Sequence, residues 1–434
     1  MAGQTISTAD AILKELYLGP IVEMLNQKAY LIDQLERDSD NVDFTGRQWV
    51  VPLHYGRNSG RRAIGDGGKF ASAGAQKTVD ATGKLRYQTV SIQITDQVMK
   101  TTQSNEGAFV SALDLETKGA ATDLRKEVNR QMFGRGEKGG LCAKGSSTTG
   151  VSEKSKESKL KFELESDLQY IEVGDIIDVL RESNGKTESK GVEGAEVTEK
   201  KTSSLEVVLG TALESGASEL GQTYFQVYLS GSYAHESDGL RNIIETGRTL
   251  HGINSSTAGK KFWDANTVKV GAAAAESAVA TEDAFIQLFD QVGAKGNGDV
   301  EVCLTTRGIR RRLAAQYQSQ KRYNDAQAVQ IHGGYSAIMV NEVPVVIDDM
   351  CPLGFAFAFN KSAFKIFEQG KPGFFEGPDG HCWFPTPGSG GVYEASWQAY
   401  LIWYMALGCV APNRTGRLEF CTDNKETEGE YAGE

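Results

Sequence analysis

Residues 47–99 read RQWVVPLHYGRNSGRRAIGDGGKFASAGAQKTVDATGKLRYQTVSIQITDQVM. The stretch opens on 47–55, which is aromatic and β-branched. It closes on 86–99, where Val90, Ile92 and Ile94 alternate with polar residues, and both ends predict strands. The thirty residues between them, 56–85, are rich in glycine, alanine and charge and carry almost no large apolar side chain. A loop of that length is uncommon in a compact domain. Two strands rising to a tip without a core describe an arm that leaves its own subunit.

Downstream, residues 107–133 place Val110, Leu113, Ala121, Leu124, Val128 and Met132 at helical steps of three and four. Asp114, Asp123, Arg125, Lys126 and Arg130 take the other side, and Gly134 supplies a stop. At ~1.5 Å per residue the helix runs on the order of 40 Å, which makes it a strut. Upstream, 9–37 predicts two short amphipathic helices broken at Gly19-Pro20. After the strut, 135–160 reads as a polar linker. Residues 161–232 then predict short strands at 171–180, 192–198, 205–209 and 224–229, a small β-barrel or sandwich inserted in the host chain. Helical periodicity returns at 282–292, followed by a strand at 300–304 and a helix at 306–320. Strands at 337–347 and 355–359 come next, then an apolar strand or strand pair at 397–410 and a charged tail.

The chain has 434 residues, which at roughly 150 per domain predicts two or three domains. A hydrophobic content of 40% excludes a wholly disordered chain. With 46 basic against 57 acidic residues the net charge is -11, so simple electrostatic binding of nucleic acid is disfavoured. The cysteines, at 142, 303, 351, 382, 409 and 421, contain no CxxC pair and point to a reducing compartment. The opening MAGQTISTAD does not read as a secretory signal. The most apolar run, 399–411, is shorter than the roughly twenty residues that span a bilayer, so no membrane partner is expected.

Enzyme chemistry finds no nucleus. In GRRAIGDGGKF (60–70) Ala63 and Phe70 break the phosphate-loop pattern at both ends. The histidines at 54, 235, 251, 332 and 381 lack the i, i+4 spacing of a helical metal pair, and no G-x-S-x-G elbow occurs. Asp348-Asp349 and Glu282-Asp283 read as a turn and a helix N-terminus. No catalytic, cofactor or metal residue is therefore named, and a two-domain enzyme assembled in space is the reading from another class. Arg310-Arg311-Arg312 reads equally as a solvated face or as a subunit contact.

The order arm, long helix, β insertion, mixed domain resembles the major capsid protein of tailed bacteriophages, the HK-ninety-seven-type fold shared with encapsulin shells. Two stretches carry it. Residues 47–134 match that family's extended loop and spine helix. Residues 300–368 (VEVCLTTRGIRRRLAAQY … YSAIMVNEVPVVIDDMCPLGFAFAFNKSAFKIFE) match its strand, Thr-Arg helix start, Val-Pro-Val strand ending in aspartate, and Pro-Gly turn. Asn341-Glu342 stand where the family often has glycine. YEASWQAYLIWYMALGCVAP fits the strands that return to the spine helix.

The resemblance implies an α+β chain with an N-terminal arm at 1–46, an extended loop at 47–100 and a peripheral domain with the spine helix at 101–150. The inserted β domain would be 151–235, a connector 236–284, the axial domain 285–394, returning peripheral strands 395–421 and a flexible tail 422–434. It implies a non-enzymatic protein that assembles with itself, as hexamers and pentamers, into an icosahedral head around double-stranded DNA, without sequence-specific binding. Further partners would be a separate scaffolding protein, a portal protein and a decoration protein, in a virion assembled in the host bacterial cytoplasm. An encapsulin-like compartment shell is the alternative within the fold. The charges expected to carry subunit contacts are Arg57, Arg61, Arg62 and Lys69 on the arm and Arg310, Arg311 and Arg312 on the axial helix. Some members of that family crosslink subunits through a Lys–Asn bond catalysed by a Glu. Lys69, Lys77 and Lys84 lie in the loop, but no Asn or Glu partner is assigned.

Overall fold

The computed structural model describes residues 29–40, 48–97, 106–136, 140–141, 145–146, 158–162, 168–183, 186–202, 204–210, 224–257, 259–272, 278–296, 298–320, 330–331, 335–336, 338–378, 380–388 and 393–423. The helices expected over 9–37 lie mostly outside these residues. Their described end is a helix at Tyr30–Gln34 followed by a strand at Glu36–Asp38.

One sheet is organised by the 17-residue strand Tyr393–Cys409. Along one edge it pairs antiparallel with Arg86–Thr95, from Ser396↔Thr95 to Met405↔Arg86. Its other edge carries Phe364–Glu368, Gly373–Phe374 and Trp383–Pro387, and Glu36–Asp38 adds parallel to Phe364–Glu368. Alternation puts Ala399, Leu401, Trp403 and Met405 on one buried face, continuous with Ile92 and Ile94. The 28-residue helix Glu106–Phe133 packs there through Ala120, Leu124, Val128 and Met132, which recur every four residues.

The second sheet has the order Asn266–Lys269, Thr415–Glu419, Ala356–Phe359, Val302–Thr305, Val343–Ile347, Ile338–Val340. One face, with Cys303, Val345, Ala358 and Leu418, lies under the helices Glu282–Gly296 and Arg307–Gln320. The other face, with Val302, Leu304, Phe357 and Phe359, joins the main core beside Tyr30, Phe133 and Ile244. The third sheet is Gly145–Ser146, Tyr224–Leu229, Ile176–Ser183, Lys186–Lys201, Glu206–Leu209, Ser158–Lys161. It encloses a separate core that includes Leu160, Phe162, Ile177, Val197, Leu209 and Val227.

Three expectations need correction. The strand Gln48–Gly56 does not form its hairpin with 86–99. It pairs with Lys77–Lys84, eight residues read as loop, while Arg86–Thr95 is committed to the long strand. The polar stretch 135–160 is not merely a linker, since Gly145–Ser146 and Ser158–Lys161 are strands of the inserted sheet. The residues 395–421 do not all return to the sheet of the long helix. Tyr393–Cys409 does, but Thr415–Glu419 crosses into the helix-covered sheet, between Asn266–Lys269 and Ala356–Phe359.

Candidate assembly surfaces

Among the described residues no group of three or more His, Cys, Asp or Glu side chains is placed to hold a metal ion. Among the same residues no helix is long and apolar enough to cross a membrane. The described cysteines form no disulfide, and burial pushes the Cys409 and Cys421 thiols up to about 12, where they are inert nucleophiles.

The hairpin Gln48–Gly56/Lys77–Lys84 is built from its root. Trp49 is buried, stacked on Phe367 at 4.2 Å between centroids and 8° from parallel, and it meets the His251 ring edge-on at 4.6 Å. Two glycines make room for the indole. A Cβ on Gly83, its cross-strand neighbour, would stand 2.5 Å from the indole Nε1, and one on Gly408 would stand 2.8 Å from Cζ2. The His251 Nε2 accepts the Cys409 N–H at 3.1 Å, and its carbonyl accepts the Thr82 N–H at 3.0 Å. Burial, with Arg248 close by, lowers the His251 imidazole to about 3, so the ring is neutral as this bond requires. Beside the root lies a cavity of about 250 Å³ lined by Gln48, Lys84, Arg86, Asp238, Gly252 and Leu407 among others.

Away from the root the hairpin loses its core. Tyr55 stacks on Phe262 at 4.8 Å, but no residue from 50 to 80 is buried, and 61–70 are all exposed. Phe70 is 87% exposed. The tip closes on itself through Arg62, whose Nη2 donates to the carbonyls of Lys69 and Phe70, the latter at 2.7 Å. Arg57, Arg61 and Lys69 are exposed, and their side chains make no hydrogen bond or ion pair among the described residues. Of the four arm charges named from sequence, three stand free and one holds the tip's shape.

The axial arginines diverge as their helical positions require. Arg311 is exposed, while Arg310 and Arg312 are half-buried. Burial and the neighbouring Arg307 lower the Arg310 guanidinium from its ordinary value. Arg312 keeps its Nε out of solvent without a hydrogen-bond partner and lies near Asp423. The fork that the sequence reading missed is Arg307, whose Nε and Nη2 donate to the two carboxylate oxygens of Asp349 at 2.8 and 3.0 Å.

Asp348, read as a turn residue, joins distant parts of the chain. Its carboxylate accepts the Tyr30 N–H at 3.2 Å, the Asn129 Nδ2 at 3.0 Å and the Met350 N–H at 3.0 Å. Burial pushes its carboxyl up to about 6 against those three donors. The same turn receives the inserted sheet. The Tyr170 hydroxyl donates to the Met350 carbonyl at 2.8 Å, and Gln169 Nε2 donates to the Cys351 carbonyl at 2.8 Å. The only sequence sign was the Asp-Asp pair at the end of a Val-Pro-Val strand.

No family model matches the chain, and no curated protein matches it. Among solved structures it is similar to the capsid asymmetric unit of cyanophage A-1(L), with a TM-score of 0.54 at 11% identity over 94% of this chain and 97% of that one. Lower likenesses include the capsid of a native GTA particle, with a TM-score of 0.48 at 11% identity over 97% of this chain and 100% of that one. The holo-SrpI encapsulin complex from Synechococcus elongatus has a TM-score of 0.43 at 8% identity over 97% of this chain and 96% of that one. The first of these spans nearly the whole of both chains. The chain has the HK-ninety-seven-type capsid fold.

Proposed function

We propose that this chain is the major capsid protein of a tailed bacteriophage, assembling with itself as hexamers and pentamers into the icosahedral head that encloses double-stranded DNA. The observation that carries the reading is the hairpin. Its root is locked into the core by Trp49, yet none of its residues from 50 to 80 is buried, and Phe70 projects into solvent. A segment ordered at one end and core-less at the other is completed when a neighbour's surface covers it.

In this reading the sheet around Tyr393–Cys409, with the helix Glu106–Phe133, forms the peripheral domain. The sheet under Glu282–Gly296 and Arg307–Gln320 is the axial domain, and the separately cored sheet is the insertion. The net charge of -11 suits a container whose wall lets packed DNA slide. Scaffolding, portal and decoration proteins are its further partners, and the head is assembled in the bacterial cytoplasm.

Electron microscopy of the purified chain, alone and with a phage lysate, tests this. Uniform closed shells, filled with DNA when made during infection, are the expected result. Shells loaded with a protein cargo in place of DNA would favour an encapsulin-like compartment. A stable monomer with a saturable small-molecule site would overturn the shell reading.

A further inference from the structure

Charge is sorted by sign on the two helices that cover the axial sheet. Arg307–Gln320 carries Arg307, Arg310, Arg311 and Arg312 and no acid. Glu282–Gly296 carries Glu282, Asp283 and Asp290 against one Lys295. Contacts inside the subunit use some of these groups: Arg307 forks onto Asp349, Arg312 lies near Asp423, and Glu282 faces the Tyr317 hydroxyl. Apart from Arg312, the charged side chains of the two helices left without a hydrogen bond or ion pair among the described residues are Arg310 and Arg311 on one helix and Asp283, Asp290 and Lys295 on the other. Asp283 and Asp290 are two turns apart on one stripe and both are exposed. Arg310 and Arg311 point ~100° apart, one half-buried and the other exposed.

Symmetry then narrows the contact, and the closed ring of the shell reading selects among the arrangements that remain. If two copies met through the same helix about a two-fold axis, Arg would face Arg, or Asp would face Asp, and like charges would repel. A head-to-tail contact sets the arginines of one copy against the aspartates of the next, and the same pairing repeats around a closed ring. We propose that Arg310 and Arg311 pair with Asp283 and Asp290 of the adjacent copy in the ring, so that a second copy of this chain is the partner of both patches. The inference rests on the shell reading above and adds to it the two surfaces that meet. A carboxylate beside Arg310 also relieves a cation that is half-desolvated next to Arg307.

The test uses the full chain in two double variants, Arg310→Glu with Arg311→Glu and Asp283→Lys with Asp290→Lys, and their fourfold combination. Each double variant should lower shell yield by about tenfold or more while the isolated subunit melts as wild type does. The fourfold combination, with every pair reversed, should recover shells. A one-to-one mixture of the two double variants satisfies every contact only where copies alternate, so it should form even-membered rings but no closed shells that need five-membered ones. Double variants that assemble as well as wild type would overturn the pairing, as would a fourfold combination that stays unassembled although its subunit is folded. Wild-type chain that forms no shells removes the reading of function itself. Wild-type shells with indifferent variants remove only this pairing.

Discussion

The indole of Trp49 lies flat on the ring of Phe367, 4.2 Å between centroids, and so fastens the hairpin to the strand Phe364–Glu368. Gly83 and Gly408 leave the slot that the indole fills. Trp49→Ala is expected to cost about 3–5 kcal/mol in denaturant unfolding, since it opens a cavity in a packed core. Gly408→Ala should cost about 1–3 kcal/mol by overpacking. Unchanged unfolding midpoints for both would show that the hairpin root is held elsewhere.

At the opposite end of the same hairpin stability and assembly separate. Phe70→Ser and Arg61→Glu alter exposed side chains, so subunit stability should stay within about 0.5 kcal/mol of wild type. Shell yield, counted by sedimentation of the same preparations, should fall. Arg62→Glu should in addition speed proteolysis of the tip, because Arg62 donates to the carbonyls of Lys69 and Phe70. Normal yield from the first two variants would remove the tip from the interface.

Asp348 gives a signed dependence on pH. Its folded carboxyl is raised to about 6, above the ~3.9 of an unfolded aspartate, because burial outweighs three hydrogen-bond donors. The folded state therefore holds this proton more tightly between those values. The stabilisation is fully present below about pH 4 and is lost as pH rises through about 6. Asp348→Asn removes this dependence. The stability of wild type relative to the variant should rise by up to ~3 kcal/mol between about pH 7 and pH 4. A difference that is flat with pH would return the carboxyl to the ordinary range.

Burial separates two ion pairs of similar length. Arg130 reaches Glu236 at 2.7 Å with both side chains buried, whereas Lys126 reaches Glu172 at 2.5 Å at the surface. Glu236→Ala removes one partner from a desolvated cation that keeps Glu127 at 2.6 Å, and should cost about 1.5–3 kcal/mol. Glu172→Ala should cost about 0–1 kcal/mol. Equal melting shifts for the two would contradict the assignment of burial.

The turn between Ile338–Val340 and Val343–Ile347 places Asn341 at φ 46° and Glu342 at φ 66°. Asn accepts the left-handed region and Glu does so at a cost, while Asn-Gly is the pair this turn favours. Glu342→Gly should therefore raise stability by about 1 kcal/mol, read as an upward shift in melting temperature. A lower melting temperature would mean that the glutamate side chain contributes more than the strain removes.

The long helix was legible because Leu124, Val128 and Met132 repeat every four residues, a period that belongs to one face of a helix. The returning strand of the hairpin was not, because KTVDATGK offers only Val79 and Ala81 to a core. Its register depends on backbone pairing and on a glycine set opposite a tryptophan. Charges at the tip could be named from composition, but Arg62's inward turn depends on two carbonyls that no pattern marks. Asp348 was hidden for a different reason. Tyr30 and Asn129 lie 318 and 219 residues away from it along the chain, beyond the reach of any periodicity.

The strand Thr415–Glu419 sits inside its sheet, with Asn266–Lys269 on one side and Ala356–Phe359 on the other. It leaves the ribosome after both of them. At ~5–20 residues per second, tens of seconds separate the making of Arg86–Thr95 from the making of this strand. Through that interval the helix-covered sheet has an open slot, and Leu288 and Val292 lack the backbone of Gly416 against which they close. Until Thr415–Glu419 is made, Asn266–Lys269 has no strand to join it to the rest of that sheet. The order of translation makes closure of this sheet a late step of folding, set by the chain's own connectivity.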